Sequence, residues 1–249
     1  MDKSINFRDI TEKYVCFGIF GPKSRDLLTE IFGKEFESNK FPFGYAKSLE
    51  IKNINILFQR LSFVGELGWE LYIPINDSKK IYELIINAGK NYGLVHAGRL
   101  AMDIMRMEKG YLHWGHDISP EENPYEANLG FTVKLNKKYD FIGKAKLQEV
   151  KDTPKKQFVM LTLVDSKPGE PLLLHDEPIY LNNKIVGETT SGNYSFCYNK
   201  NIAFGYINSN IDKNNVKDNF FEIEVAKIKY KLTILTQPLH DPKNLLLKN

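Results

Sequence analysis

Two acidic side chains stand four residues apart in a segment with two glycines, Gly65-Glu-Leu-Gly-Trp-Glu70. Glycines permit a tight bend, or the close approach of a ligand to the backbone. An ionised carboxylate can accept two N–H hydrogen bonds at once from a flat heterocycle that carries an amino group beside a ring N–H, which suits a pterin or a guanidine-like edge. A glycine-rich hairpin with two solvated acids fits the same pattern, and the chemistry of Glu66 and Glu70 alone leaves both interpretations open.

A second concentration of polar and aromatic residues is Tyr111-Leu-His-Trp-Gly-His-Asp117. Its aspartate and its histidines, His113 and His116, are of types that bind metal ions, but the sequence has no further His or Cys cluster to complete a ligand shell. We therefore predict no metal site. We expect the tyrosine and the tryptophan to provide flat packing surfaces, and the histidines to hydrogen-bond to the backbone or to a ligand.

A helix pattern leads into this segment. Its apolar residues recur at helical spacing and share one face: Ala97, Leu100, Ala101, Ile104 and Met105. On this helix Arg99 and Asp103 are four residues apart, and Asp103 and Arg106 are three apart, so either pair can form an ion pair. A solvated ion pair is enough to explain the presence of Arg99 on the helix surface. Asp103 and Arg106 lie close to the polar segment, which leaves a functional role open for them.

The first half of the chain must position these groups through mixed elements. Tyr14 to Phe20 is predicted as a strand and Arg25 to Phe32 as a helix, followed by paired strands over Tyr45 to Ile51 and Ile54 to Ser62. Glu70 to Pro74 is a further short strand. The pattern Ile81, Leu84, Ile85 and Ala88 marks another amphipathic helix. Helices alternating with hairpins favour an α+β layer.

The second half changes character after a charged, proline-containing segment, Lys151 to Lys156. We place a domain boundary there, giving domains of residues 1–150 and 151–249. After it come strands separated by turns, at Gln157–Val164, Leu172–Leu174, Ile179–Leu181, Ile185–Thr190, Ile202–Ile207, Phe220–Val225 and Lys229–Leu235. This spacing predicts a small antiparallel barrel or sandwich.

Bulk properties exclude several classes of protein. The formal net charge is +3 over 249 residues, with basic and acidic side chains interspersed, so no nucleic-acid surface is expected. No apolar run approaches the ~20 residues of a membrane span, and the N-terminal residues lack the apolar region of a secretory signal. With two cysteines, Cys16 and Cys197, the sequence has no disulfide framework, and a reducing, cytoplasmic compartment is expected.

Five motifs in chain order carry a family resemblance: Gly21-Pro22-Lys-Ser24, Gly65-Glu66-Leu-Gly-Trp-Glu70, Arg106-Met-Glu108-Lys-Gly110, Pro124-Tyr-Glu126-Ala-Asn-Leu-Gly130-Phe131 and Gly187-Glu-Thr-Thr-Ser191-Gly192. The series resembles the aminomethyltransferase family, whose type member is the glycine cleavage T-protein. Within it, Glu108 to Asp117 and the ending Pro238-Leu-His-Asp-Pro242 are most similar to the folate-binding C-terminal half of dimethylglycine and sarcosine dehydrogenases.

The resemblance implies part of a folate-binding α+β domain followed by a small β-barrel, and transfer of a one-carbon unit from an N-methyl amine to tetrahydrofolate. Glu70 matches the family glutamate that holds the pterin ring. Tyr111, His113 and Trp114 are expected to line or support the folate pocket, and Arg106 is included among the cofactor-binding residues, with a bracing role beside Glu108. The expected partners are folate, a flavin-containing dehydrogenase domain or chain, and further copies of the chain.

Two departures qualify this picture. The T-protein arginine one turn before the Arg-x-Glu motif falls on Met102, a position that also varies in the dehydrogenase branch. The Gly-Pro-Lys-Ser motif normally lies well inside the family domain, so we expect the chain to be incomplete as an enzyme, with no residue matching the catalytic aspartate. No flavin-binding Gly-x-Gly-x-x-Gly fingerprint is present. The alternatives are a non-catalytic folate-binding or interaction module and a folate-dependent demethylase of sulfonium compounds.

Overall fold

A computed structural model describes residues 5–165, 167–212 and 221–248. The chain divides into two compact units, residues 1–102 with 243–249, and residues 103–242. These units are defined by contacts within the chain. The predicted domain division at residue 150 stays a prediction.

A four-stranded antiparallel sheet forms the centre of the described part of the first unit. Its strands are β1 (Tyr14–Phe20), β2 (Ala46–Ile51), β3 (Ile54–Gln59) and β4 (Gly68–Pro74). The spatial order is β1-β4-β3-β2. The predicted strands are confirmed, and most of their predicted ends lie within two residues of the observed ends. The hairpin turns through Lys52 and Asn53, both with positive φ, as a tight two-residue turn requires.

The sheet has two chemically different faces because side chains alternate along a strand. One face packs on helices α1 (Ser24–Phe32) and α2 (Ser78–Gly89). The core between this face and the helices includes Ile19, Leu27, Leu28, Phe32, Ile56, Phe58, Trp69, Leu71, Ile73, Ile81 and Ile85. Each large apolar side chain buried there contributes about 1.5–3 kcal/mol to folding. The other face, which we call the polar face, includes Cys16, Ser48, Glu70 and Tyr72, and this alternation aims Glu70 away from the helices.

The helix before the His-Trp-Gly-His segment is α3 (Arg99–Glu108), so Ala97 precedes it. The apolar face predicted for this helix is exposed at its start, where Leu100 is 76% accessible. The side chains that the helix buries lie at its end, and they are Arg106, Met107 and Glu108. Further helices are α4 (Lys144–Val150) and α5 (Leu245–Lys248). Short 3-10 helices occupy Thr11–Lys13, Lys34–Phe36, Ile75–Asp77, Lys90–Tyr92 and Gly130–Thr132.

Six strands among the described residues of the second unit close an antiparallel barrel. They are β5 (Lys156–Leu163), β6 (Pro178–Leu181), β7 (Lys184–Ser195), β8 (Lys200–Asn208), β9 (Phe221–Val225) and β10 (Ile228–Leu235). The spatial order is β10-β5-β8-β7-β6-β9. The prediction of α+β structure followed by a small antiparallel barrel is confirmed.

One predicted barrel strand is wrong. Leu172–Leu174 has no strand pairing, and Leu173 alone of the three is buried, at 2% exposure. Leu173 packs in the barrel core while its neighbours are exposed, so a loop reproduces the apolar-rich pattern of a strand. The first residue of the predicted strand Phe220–Val225 lies outside the described residues. In the described segments, no helix combines the length and apolarity that crossing a membrane requires.

Candidate functional site

Glu70 lies on strand β4, opposite Gly18 of β1 and Gln59 of β3. Its side chain is half-buried on the polar face. The hydroxyl of Tyr72, two residues along the same strand, donates a 2.9 Å hydrogen bond to Glu70 Oε2. Among the described residues no donor reaches Oε1 of Glu70, so this oxygen is available to accept N–H groups from a ligand.

The two glycines before Glu70 are required by the backbone of the protein itself. Gly65 has a φ of +80°, which a residue with a side chain rarely adopts. A Cβ on Gly68 would lie 2.4 Å from the carbonyl oxygen of Ile19 and 2.3 Å from the ring of Phe20. Gly65 therefore makes the bend, and Gly68 lets strand β1 approach. Together they bring Glu70 into register with β1.

Trp69 fixes the strand from the opposite face. Its ring is fully buried, with the guanidinium carbons of Arg25 and Arg60 at 5.2 and 5.5 Å from the ring centroid. Arg60 donates from Nη1 to the carbonyl oxygen of Phe41 at 2.7 Å. Burial, and then the nearby charge of Arg25, lower the pKa of Arg60 to about 10. Trp69 therefore anchors strand β4 in the core at the residue before Glu70.

Tyr72 and Cys16 complete the arrangement around Glu70. They occupy opposing positions on β4 and β1, and their side chains are in hydrogen-bond contact. The hydrogen bond to Glu70, together with burial, raises the pKa of Tyr72 to about 12. Burial, and then the negative charge of Glu70, raise the pKa of the Cys16 thiol. At neutral pH the pair therefore presents a phenol and a thiol beside one carboxylate.

A recess of about 470 Å³ opens on the polar face next to this group. Residues from all four strands line it, among them Tyr14, Cys16, Ser48, Leu57 and Tyr72. Aromatic and aliphatic surfaces combined with a few polar groups are typical of sites for small organic molecules. The recess gives the polar face room for such a molecule beside Tyr72.

In the second unit, Arg106 is the centre of a buried polar network. Its side chain is 1% exposed, and its guanidinium donates to the Asp103 carboxylate at 2.8 Å, to the Tyr111 carbonyl at 3.1 Å and to the Ser191 hydroxyl at 2.9 Å. Its Nη1 also donates to Oδ2 of Asp117. The predicted Asp103–Arg106 pair is present. Because the N–H groups of Arg106 donate to other groups of the protein, its position supports a role in bracing the helix and the loop more than direct contact with a ligand.

Asp117 shapes the loop that contains His113 and Trp114. One carboxylate oxygen accepts from Arg106 and from the backbone N–H of His113 at 2.8 Å, and the other accepts from the hydroxyl of Thr190 at 2.6 Å. The hydroxyl of Tyr206 donates to the Asp117 carbonyl at 2.8 Å. These bonds occupy the Asp117 carboxylate within the protein, and they fix the loop to the barrel.

The loop presents Trp114 to solvent, with 65% of its surface exposed. The rings of His113 and His116 are in contact, with their centroids 4.6 Å apart and their planes tilted by 39°. Burial and the neighbouring His116 lower the pKa of His113, so its neutral form is favoured near neutral pH. Across residues 5–165, 167–212 and 221–248, no three His, Cys, Asp or Glu side chains are grouped so that they could hold a metal ion.

Two further charged residues at the end of helix α3 have buried partners, one on the barrel and one in the segment after strand β10. Glu108, which is 4% exposed, accepts a 2.5 Å hydrogen bond from the hydroxyl of Ser195 on strand β7. Lys109 pairs with Asp241 at 3.2 Å, and both side chains are buried. The Arg-x-Glu-Lys segment therefore acts as an internal brace.

The sequence-predicted residues fall in separate units. Glu70 belongs to the first, and Arg106, Tyr111, His113 and Trp114 belong to the second. Sequence reasoning missed Tyr72 and Cys16, whose contact with Glu70 depends on strand register. It also missed the role of Asp117 and the contacts that strand β7 makes with Asp117 and Arg106. The Gly187-Glu-Thr-Thr-Ser191-Gly192 motif was the available signal, because it contains Thr190, which donates to Asp117, and Ser191, which accepts from Arg106.

Comparison with known families agrees with this architecture. Residues 1–137 match the GCVT N-terminal domain, and residues 156–241 match the glycine cleavage T-protein C-terminal barrel domain. The fold is thus that of the two glycine cleavage T-protein domains in their usual order. The chain belongs to the glycine cleavage T-protein family, and the predicted family resemblance is confirmed.

Individual relatives are similar over most of the chain. Human mitochondrial dimethylglycine dehydrogenase is 36% identical over 237 residues, which cover 94% of this chain and 27% of that protein. An aminomethyltransferase of Symbiobacterium thermophilum is 32% identical over 201 residues, covering 80% of this chain and 52% of that one. This chain therefore spans about a quarter to a half of these relatives' lengths.

A solved structure supports the fold. The crystal structure of glycine cleavage system aminomethyltransferase T from Bartonella henselae matches with a TM-score of 0.78 at 21% identity. The match covers 92% of this chain and 60% of that chain. At this identity the likeness establishes the shared fold.

Proposed function

We propose that this chain is a tetrahydrofolate-binding module for one-carbon transfer from an N-methyl amine. The observation that carries the proposal is the Glu70 carboxylate. It is half-buried on the polar face, held by Tyr72 through Oε2, and without a donor to Oε1 among the described residues. Family membership supports the assignment, because the motif resemblance matches Glu70 to the glutamate that holds the pterin ring in the family.

The residues present fit the edge of a pterin. A carboxylate accepts two N–H bonds from an amino group and an adjacent ring N–H, and this charge-assisted pairing fixes the heterocycle's orientation. Tetrahydrofolate supplies, when bound, amine nitrogens that accept a one-carbon unit. The contribution of this chain is to bind and orient, which lowers the entropic cost of bringing amine and electrophile together.

The residues of the second unit take supporting roles in the proposal. Tyr111, His113 and Trp114 remain proposed folate-contacting residues, with Trp114 offering an exposed indole for stacking. Arg106 is proposed to brace helix α3 and the histidine loop, since its guanidinium donates to four groups of the protein.

The source of the one-carbon unit is proposed from the relatives. Human dimethylglycine dehydrogenase carries an N-methylated amine in its name. We therefore propose that an N-methyl amine is oxidised by a flavin-containing dehydrogenase domain or chain, and that this module captures the released one-carbon unit.

Titration of the full chain with tetrahydrofolate, measured by isothermal calorimetry under anaerobic conditions, tests the proposal. Saturable binding with one site per chain is expected. Absence of binding up to millimolar folate would contradict it.

A further inference from the structure

A row of three side chains crosses strands β1 and β4 on the polar face. Cys16 and Tyr72 occupy opposing positions and are in hydrogen-bond contact, and Tyr72 donates to Glu70 at 2.9 Å. Tyr72 is thus the middle member, in contact with a thiol on one side and a carboxylate on the other.

From this geometry we infer that Tyr72 is a positioning residue for Glu70. Its hydroxyl holds Oε2 and leaves Oε1 facing the ligand, so the carboxylate is oriented before folate arrives. The inference rests on the proposed function for its ligand. The positioning itself is a property of the protein and can be measured without folate.

Several features support this role. Tyr72 lies between β1 and β3, opposite Cys16 and Leu57, and this central place in the sheet limits the movement of its ring. Its pKa of about 12 keeps the hydroxyl protonated, so it donates to Glu70 throughout the neutral range. A Glu side chain has freely rotating bonds, and fixing one in advance improves affinity because less conformational entropy is lost on binding.

Tyr72→Phe removes the hydroxyl and keeps the ring. We expect tetrahydrofolate affinity to fall about tenfold, the order associated with losing a hydrogen bond to a charged group. Glu70→Gln should weaken binding more strongly, and the double variant should bind no more weakly than Glu70→Gln alone. Tyr92→Phe is the matched control, because Tyr92 donates to Glu30 at 2.6 Å in the same unit, and its affinity should match the wild type.

Two binding results would overturn the inference. Tyr72→Phe could bind folate as tightly as the wild type, or the losses from Tyr72→Phe and Glu70→Gln could multiply in the double variant. Multiplied losses would mean that the two side chains act independently.

A second measurement uses the Cys16 thiol as a reporter and needs no folate. In a Cys197→Ser background, the pKa of Cys16 is obtained from the pH dependence of its alkylation by iodoacetamide. Because the charge of Glu70 raises the pKa of Cys16, Glu70→Gln should lower it. If Tyr72 holds Glu70 in place, the same substitution should shift the pKa of Cys16 less in a Tyr72→Phe background.

The outcomes separate the two proposals. An equal shift in both backgrounds would contradict the positioning role, whatever the folate result. Thiol coupling that depends on Tyr72, found in a protein that binds no folate, would uphold the positioning role and reject tetrahydrofolate as the ligand.

Discussion

The guanidinium of Arg106 donates a hydrogen bond to the carboxylate of Asp117, and each residue is 1% exposed. The two residues are eleven positions apart and join the end of helix α3 to the loop that carries the histidines. Through Thr190 and Ser191 the same pair reaches strand β7. This buried ion pair is therefore one of the contacts that fix the loop, together with the bonds from Thr190 and Tyr206 to Asp117.

Asp117→Asn should destabilise the protein by about 3–5 kcal/mol, because it leaves the Arg106 charge buried with a weaker set of partners. The free energy of unfolding in urea measures this. Glu149→Gln is the control, since its pair with Lys146 is largely exposed and should contribute less than about 1 kcal/mol. Equal effects of the two substitutions would contradict the role given to Asp117.

Ser195→Ala should cost about 1–3 kcal/mol, since it leaves an oxygen of the buried Glu108 carboxylate without its donor. Urea unfolding again provides the measurement. Ser38→Ala serves as the control, because Ser38 is exposed, and it should change stability little. A neutral Ser195→Ala variant would show that Glu108 does not depend on strand β7.

The pKa of His113 should lie below the ordinary value of 6.5, owing first to burial and then to His116. As pH falls through 6.5, the unfolded chain gains a proton before the folded chain does, so stability declines until the folded pKa is reached. His113→Gln should reduce this decline. Titration of histidine ring signals by NMR gives the pKa directly, and His116→Gln should raise that of His113. An unchanged value in His116→Gln would contradict the close approach of the two rings.

The raised pKa of Tyr72 predicts that the stability of the fold changes at alkaline pH. Its pKa of about 12 in the folded protein lies above the ordinary value of 10. As pH rises above 10, the unfolded chain loses this proton first, so stability falls until the folded pKa is reached. Tyr72→Phe should weaken this fall, as measured by urea unfolding between pH 9 and about 11. Identical pH dependence in both proteins would refute the Tyr72–Glu70 hydrogen bond.

Much of the fold was predictable because local patterns and long-range pairing agree. Glu70 to Pro74 was predicted as a short strand, and the structure places these residues in strand β4. The predicted strand at Leu172–Leu174 was wrong because a single buried leucine between two exposed ones has the alternating pattern of a strand. Periodicity reports apolar content, whereas pairing depends on distant partners.

The candidate site was predictable in part. The motif identified Glu70, but Tyr72 and Cys16 meet it through strand register, which requires knowing that β1 pairs with β4. Helix α3 showed the opposite problem. Its periodicity emphasised Leu100, which is exposed, while its buried members include the charged Arg106 and Glu108. Burial of charges depends on partners such as Asp117 and Ser195, which helical spacing does not reveal.

The central claim is that Glu70 holds a pterin ring, and Glu70→Gln tests it most directly. Calorimetric titration of the full chain with tetrahydrofolate should show binding weakened by about 1–3 kcal/mol, the cost of losing a charged hydrogen-bond partner. Glu66→Gln, four residues away in the same motif, should bind like the wild type. Equal affinity for folate in wild-type and Glu70→Gln proteins would contradict the account.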